Sequence, residues 1–345
     1  MENYIVLETI GSGSFGKVTK VQRKSDNKIL VWKEMAYGSM SEKEKQLLVS
    51  EVNILRELKH PHIVRYYDRI LDRDNKKIYI IMEYCERGDL AQLIKRLAAN
   101  NSNNASSQFP ANEANKPLNS ISNSCANSAG NIHQVSNQSS NSARFNDEET
   151  AWRVLLQMCL ALKECHSPRN QDPASSPTTS SGRILHRDIK PGNIFLDEFN
   201  NCKLGDFGLA RVLSSNSVFA TTNVGTPLYM SPEQISEQAY DEKSDIWSLG
   251  CVIYELCTLS PPFQATNHVA LAIKIKKGVY KPIPANLFSA DLISVVVSML
   301  QIDVSGFILL FLLLLFNSLN TNQKAKQASE CRRVALSSIY RFEAS

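Results

Sequence analysis

With 345 residues, 43% hydrophobic and 21% charged, the chain has room for one large globular domain or two ordinary ones. Its formal net charge of +4 is too small and too scattered to predict a nucleic-acid partner or an anionic membrane surface. Eight cysteines with no CxxC pair and no Cys/His cluster argue against a zinc site or a disulfide frame, so reduced thiols are expected.

The opening MENYIVLETIGSG lacks the basic, apolar and cleavage regions of a secretory signal, which makes cytosol or nucleus the expected location. Residues 4–85 read as short strands around one helix. Tyr4–Ile10, Thr19–Arg23, Ile29–Glu34, Tyr66–Leu71 and Ile78–Met82 are β-rich runs, several parted by turn residues such as Ser25-Asp26-Asn27. The helix opens at a capping box, Ser41-Glu42-Lys43-Glu44, and is expected to run to about Lys59, before Pro61. From Gly88 onward the pattern turns helical. Between Asn100 and Ala143, 23 of 44 residues are Asn or Ser, a composition that predicts a disordered insertion. A helix follows from Asn146, with Trp152, Leu155, Leu156, Cys159 and Leu162 on its apolar face. Residues 167–183 read as a second flexible insertion, Cys202–Leu204 as a short strand, and Asp245–Cys257 as a helix buried on every side. The expected fold is α+β: a small sheet-rich lobe over 4–85, then a larger, mainly helical lobe over 86–303.

Within this frame lie residues that carry chemistry. Gly11, Gly13 and Gly16 form a GxGxxG run between two strands, where glycines let backbone N–H groups approach phosphates. A dinucleotide site is set aside because a strand, not a helix, follows. Lys33 ends a strand, and Glu51 lies on the helix face shared by Leu48, Val52 and Leu55; a carboxylate on a buried face needs a partner, and Lys33 is the expected one. That pair would hold the lysine on the α- and β-phosphates of ATP. His186-Arg187-Asp188-Ile189-Lys190-Pro191-Gly192-Asn193 has the spacing of a phosphoryl-transfer loop. Asp188 is expected to accept the substrate hydroxyl's proton, Lys190 to neutralise the transferring group, and Asn193 with Asp206 to hold Mg²⁺. Lysine two places after the aspartate is the serine/threonine arrangement. Thr226 is expected beside Asp188, favouring hydroxyl substrates. Asp245 is expected either to accept hydrogen bonds from the catalytic loop or to act as a plain helix cap.

From Tyr4 to about Asp303 the chain resembles the protein kinase family, whose fold is bilobal, and more narrowly the NIMA-related serine/threonine kinases. The carrying residues are Trp32-Lys33-Glu34, the run from Leu48 to Pro61, Met82-Glu83-Tyr84-Cys85 and Lys243-Ser244-Asp245-Ile246-Trp247-Ser248-Leu249-Gly250. The resemblance implies protein substrates and a cell-cycle role at spindle poles or centrosomes. It implies that Glu83 and Cys85 bind adenine through their backbones, that Met82 gates the pocket behind it, and that Val18 and Val31 cover the ring. Arg187 beside Asp188 implies regulation by a phosphate on the activation segment, with Thr222 the first candidate and Thr221 and Ser217 behind it. Glu233 is the family's acidic partner of a downstream arginine.

After Asp303 the resemblance stops. Phe307–Phe316 is an unbroken apolar run of Phe, Ile and Leu, too short for a bilayer, which needs about 20 residues. Val304-Ser305 can be encoded by GTAAGT, a common intron start, and a one-nucleotide frame shift at Lys324–Leu336 permits the family's Pro-x-x-Arg-Pro. Residues 304–345 are therefore expected to translate a retained intron and a frameshifted exon, leaving Glu233 unpaired and the family's downstream coiled coil absent. Two functions stay open: a protein serine/threonine kinase, or an ATP-binding, poorly active scaffold with a truncated helical lobe.

Overall fold

The computed structural model describes residues 2–13, 16–38, 40–106, 148–167, 183–207 and 227–302. Strands β1 (Tyr4–Gly13), β2 (Gly16–Arg23), β3 (Ile29–Ala36), β4 (Tyr66–Asp72) and β5 (Lys77–Glu83) form one antiparallel sheet in the order β1-β2-β3-β5-β4. The β2–β3 turn is set by Asp26, whose carboxylate accepts the Lys28 N–H at 3.2 Å, and by Asn27 at φ 56°.

Period-two alternation divides the inner strands between two apolar clusters. From β5, Ile78, Ile80 and Met82 join the main core with Leu48, Val52 and Leu55 of helix α1 (Glu42–Glu57). Tyr79 and Ile81 face the other way, against Val21, Leu30 and Trp32. The expected buried face of α1 is therefore present.

Helix α2 (Leu90–Ser106) buries Leu90, Leu93 and Ile94, and it runs past Asn100 into the Asn/Ser-rich tract. The expectation of disorder from residue 100 is corrected here as far as Ser106. Propagating a helix from a packed turn is easier than nucleating one, so weak formers can extend it. Residues 107–147, the rest of the tract included, lie outside the described residues, as do 168–182. Helix α3 (Glu148–His166) buries Leu155, Cys159 and Leu162 of its expected face together with Val154, Met158, Ala161 and Cys165, while Trp152 and Leu156 are only half-buried. Trp152 stays at the margin because its indole N–H donates to Glu148 Oε1 at 3.0 Å.

A 3-10 turn (Pro191–Asn193) leads into the hairpin β6 (Ile194–Leu196) and β7 (Cys202–Leu204). Helices α4 (Pro232–Ile235), α5 (Glu242–Thr258), α6 (His268–Lys277) and α7 (Ala290–Met299) complete the larger layer. Every residue of α5 from Ser244 to Tyr254 is buried, as its all-round apolar pattern predicts. Trp247 stacks on Phe263 with ring centroids 5.6 Å apart. Among the described residues no helix is long and apolar enough to cross a membrane. The whole tail 303–345, with its apolar run, falls outside them.

Gly250 sits where α5 crosses α7; a Cβ there would meet Met299 Cβ at 2.8 Å and Leu300 Cδ2 at 3.1 Å. Glycine is a poor helix former, so its place here is steric. Gly250→Val is expected to destabilise the protein by about 1–3 kcal/mol through overpacking. A thermal melt of the variant reads this as a lowered midpoint, and an unchanged midpoint would show the crossing to be loose.

Candidate active site

On β3, Val31 and Met35 face the main core, and alternation puts Lys33 on the same side. Its Nζ lies 2.8 Å from Asp206 Oδ1, with the lysine side chain only 12% exposed. Asp206 is in the left-handed region at φ 52°, a conformation that Asp tolerates. Gly205 before it makes the approach possible, since a Cβ there would lie 2.8 Å from Val64 Cγ2 and 3.0 Å from Phe195 Cδ2. The Gly205 N–H donates to Asn193 O at 3.0 Å, which joins this strand end to the catalytic loop.

Within that loop, Asn193 Nδ2 donates to Asp188 O at 2.7 Å and to Asp188 Oδ2 at 2.9 Å. Lys190 Nζ bonds both Asp188 oxygens, at 3.1 and 2.8 Å. Lys33, Asp206, Asn193, Asp188 and Lys190 thus form one connected set. His186 supports it from beneath, fully buried, with its ring 4.5 Å from that of Phe207. Its Nδ1 accepts the Asp188 N–H at 3.3 Å, so Nε2 carries the proton given to Gly205 O at 2.9 Å. Burial lowers its pKa, in keeping with this neutral tautomer.

Asp245 resolves the two sequence readings. The cap of α5 is Asp241, which accepts from the Lys243 and Ser244 N–H groups. Asp245 lies a turn inside and accepts the backbone N–H of His186 and of Arg187, each at 3.0 Å. Tyr240 Oη donates to it at 2.5 Å and His166 Nε2 lies 2.7 Å away. Burial opposes its ionisation, but the His166 hydrogen bond and charge, with His186 and Tyr240, outweigh burial and hold its pKa below the usual carboxylate value. Arg187 takes a left-handed φ of 66° between these bonds.

A cavity of about 970 Å³ opens between the sheet and the larger layer. Gly11, Val18, Val31, Met82, Glu83 and Cys85 line it, with Phe195 and Asp206 on the opposite side. The Glu83 carboxylate points away, accepting the Arg65 N–H at 3.1 Å and pairing with Lys203 at 3.0 Å. Its N–H is committed to Arg65 O at 2.8 Å, so only the Glu83 carbonyl is left to serve a ligand from that residue's backbone. Burial pushes the Cys85 thiol up to about 12, which makes it an inert wall. Gly16 also has a steric reason: at φ 129° its Cβ would lie 1.7 Å from Glu34 O. Gly13 pairs with Gly16 across the β1–β2 turn.

The arrangement suits Mg²⁺. Asn193 turns its amide nitrogen to Asp188, which leaves the amide oxygen as the remaining donor, and Asp206 keeps Oδ2 beyond Lys33. Among the described residues no three His, Cys, Asp or Glu gather to hold a metal alone. Two hard oxygens fit an ion that takes one or two protein ligands and fills its shell with phosphate and water.

The Glu51 side chain, Gly208, Thr226, Thr222, Thr221 and Ser217 lie outside the described residues. The expectation of an unpaired, buried Glu233 is corrected: it is half-buried and accepts a hydrogen bond from Ser244 Oγ. Solvent access and this hydroxyl spare it the desolvation cost of an orphaned charge. Sequence reasoning missed His166, Tyr240 and Phe195. The Asn193–Phe195 spacing, which alternates residues along β6, could have found Phe195; the approach of His166 has no local signal.

Residues 4–305 match the family described as protein tyrosine and serine/threonine kinase. The chain belongs to the protein kinase family. It is 48% identical over 301 residues to serine/threonine-protein kinase Nek2 of Homo sapiens, covering 87% of this chain and 56% of that protein. It is 47% identical over 303 residues to probable serine/threonine-protein kinase nek2 of Dictyostelium discoideum, covering 88% and 59%. With the G2-specific protein kinase nimA of Emericella nidulans it shares 39% over 315 residues, or 88% and 39% of the two chains. Within the kinase family, then, it is one of the NIMA-related serine/threonine kinases. This kinase chain spans little more than half the length of either Nek2 relative.

Replacing Asp245 by Asn removes a charge that several donors converge on, and is expected to cost about 3 kcal/mol or more at neutral pH. A depressed folded pKa means that the carboxylate's contribution is complete above its ordinary 3.8 and is lost as pH falls through the lower folded value. Denaturant unfolding of the two proteins should show a stability gap that narrows below that pH. A gap constant with pH would rule out a charged Asp245.

Proposed function

We propose that this chain is a Mg²⁺-using protein serine/threonine kinase that transfers the γ-phosphate of ATP to protein hydroxyls. The observation that carries the reading is the connected set Lys33–Asp206–Asn193–Asp188–Lys190 at one end of a nucleotide-sized cavity. Asp188, its second oxygen steadied by Asn193, takes the proton of the attacking hydroxyl. Lys190 already holds both Asp188 oxygens and brings a positive charge to the point of attack. Lys33 neutralises Asp206 and, kept in place by Glu51, engages the α- and β-phosphates. Asn193 and Asp206 would hold Mg²⁺, whose charge would offset the negative charge that develops on the transferring group. Val18 and Val31 sandwich adenine against Phe195, with the Glu83 carbonyl and Cys85 N–H as its edge partners and Met82 behind. Thr226 marks hydroxyl substrates, and a phosphate at Thr222, Thr221 or Ser217 meets Arg187. A cell-cycle setting is supported by the names of relatives, among them the G2-specific protein kinases nimA and fin1.

Transfer of labelled phosphate from ATP to casein tests the reading. Asp188→Asn is expected to lower the rate by about 10²–10⁴-fold, the span of a lost general base. Lys33→Met should abolish transfer as well. ATP binding by the wild type without any transfer, or an unimpaired Asp188→Asn, would overturn the proposal.

A further inference from the structure

Where the end of α1 meets the start of β4, a second concavity of about 620 Å³ is lined by Arg56, Glu57, Lys59, Arg65, Tyr66 and Tyr67. Arg56 and Lys59 come from the last turn of α1 and just beyond it, and Arg65 from the residue before β4; all three are exposed. The ion pairs of the described residues engage Arg23 and Lys203, but not Arg56, Lys59 or Arg65. Arg65 also stands 5.7 Å from the centre of the Tyr67 ring, and the same ring has Lys28 at 4.9 Å and Arg23 at 5.4 Å. Lys28 Nζ donates to Tyr67 Oη at 2.7 Å. Of these cations only Arg23 is neutralised, by a two-point contact with Asp26. Carboxylates near it are Glu57 in the lining, Asp68 towards Tyr4, and Glu83, which takes the Arg65 N–H and pairs with Lys203.

We propose that this concavity is a docking site for a phosphorylated serine or threonine in a segment of a partner protein. Arg56, Lys59 and Arg65 outnumber the one carboxylate of the lining, Glu57, and a compact dianion relieves the repulsion among such like charges. A phosphate monoester brings a charge of about −1.5 to −2 and three strong acceptor oxygens. Arginine forks meet those oxygens in pairs. The site is recessed between a helix end and a strand, so it takes one phosphate rather than a tract of backbone. The Tyr67 ring is occupied by cations and so is not offered for base stacking, which disfavours single-stranded nucleic acid. Among the described residues, none that lines it is a large exposed apolar side chain that could enter a membrane. The choice of a phosphoprotein rests in part on the kinase reading, since phosphoserine and phosphothreonine are what that reaction makes; the basic concavity itself does not.

Fluorescence anisotropy without ATP separates the two ideas. The probes are a labelled phosphothreonine peptide and its unphosphorylated twin, with a single-stranded oligonucleotide and phosphatidylserine vesicles as competing sources of phosphate. Tighter binding of the phosphopeptide by about tenfold or more is expected, as charge-assisted bonds to arginine are the strong class. Arg56→Gln with Lys59→Gln should remove that preference while casein phosphorylation stays within about twofold, because neither side chain reaches the catalytic set. Arg65→Gln provides a second variant, and a thermal melt checks that each is folded. Equal affinity for the two peptides, a preference that survives both variants, or tighter binding of the oligonucleotide or vesicles would overturn the proposal. Loss of casein phosphorylation in the wild type would overturn only the kinase reading.

Discussion

A buried charge is stable only where enough donors converge on it, and Asp245 is where this chain meets that condition. Its two oxygens take the backbone N–H groups of His186 and Arg187, the hydroxyl of Tyr240 and the ring of His166. These donors come from the catalytic loop, the end of α3 and the approach to α5. Moving any one of the donors weakens the pairing of a carboxylate held in a dry interior, and losing them together would cost several kcal/mol, roughly 3–5. The loop that carries Asp188 is thereby fixed to a helix buried over its whole middle, and His186 passes that order on to Gly205. The catalytic geometry is inherited from one electrostatic constraint in the core.

On the sheet side, the equivalent constraint is periodicity. Because β5 is buried on both faces, its register with β3 is fixed from two directions at once: Ile80 pairs with Lys33 and Met82 with Val31. A one-residue slip of β5 would turn Tyr79 and Ile81 into the main core, and one of β3 would turn Lys33 out of it. The lysine's reach to Asp206 is therefore a by-product of how Val and Ile fill two separate clusters. Loop 58–64 fastens this sheet to β7, through Val64 N–H to Leu204 O and Leu204 N–H to His62 O, both at 2.9 Å.

Much of this was legible in the residues themselves, for reasons that separate cleanly. Strands β3 and β5, helix α5 and the short β7 announce themselves through local pattern, since period two and an unbroken apolar run depend on neighbours in the chain. The catalytic loop is legible because Asp188, Lys190 and Asn193 act within one turn of backbone, so their spacing is their geometry. His166 was illegible because it meets Asp245 across 79 positions of sequence. The end of α2 was misread because composition reports what a segment prefers alone, whereas Asn100–Ser106 continues a helix already nucleated by Leu90, Leu93 and Ile94. At Gly16 the glycine run is legible from its motif, but the need to clear the Glu34 carbonyl is not, because it comes from a strand eighteen residues on.

The separate anchoring of α2 and α3 has a consequence for descent. α3 is held by its own buried face and by Glu148, whose Oε2 takes the Ser289 N–H at 2.8 Å at the head of α7. Nothing in either anchor depends on how many residues join Ser106 to Glu148. Closing a connection twice as long costs only about 0.6 kcal/mol more, because the entropy grows with the logarithm of length. Replication slippage in this stretch would thus pass nearly unseen by selection for folding, and lineages could lengthen or shorten it while the catalytic halves on either side stay as they are.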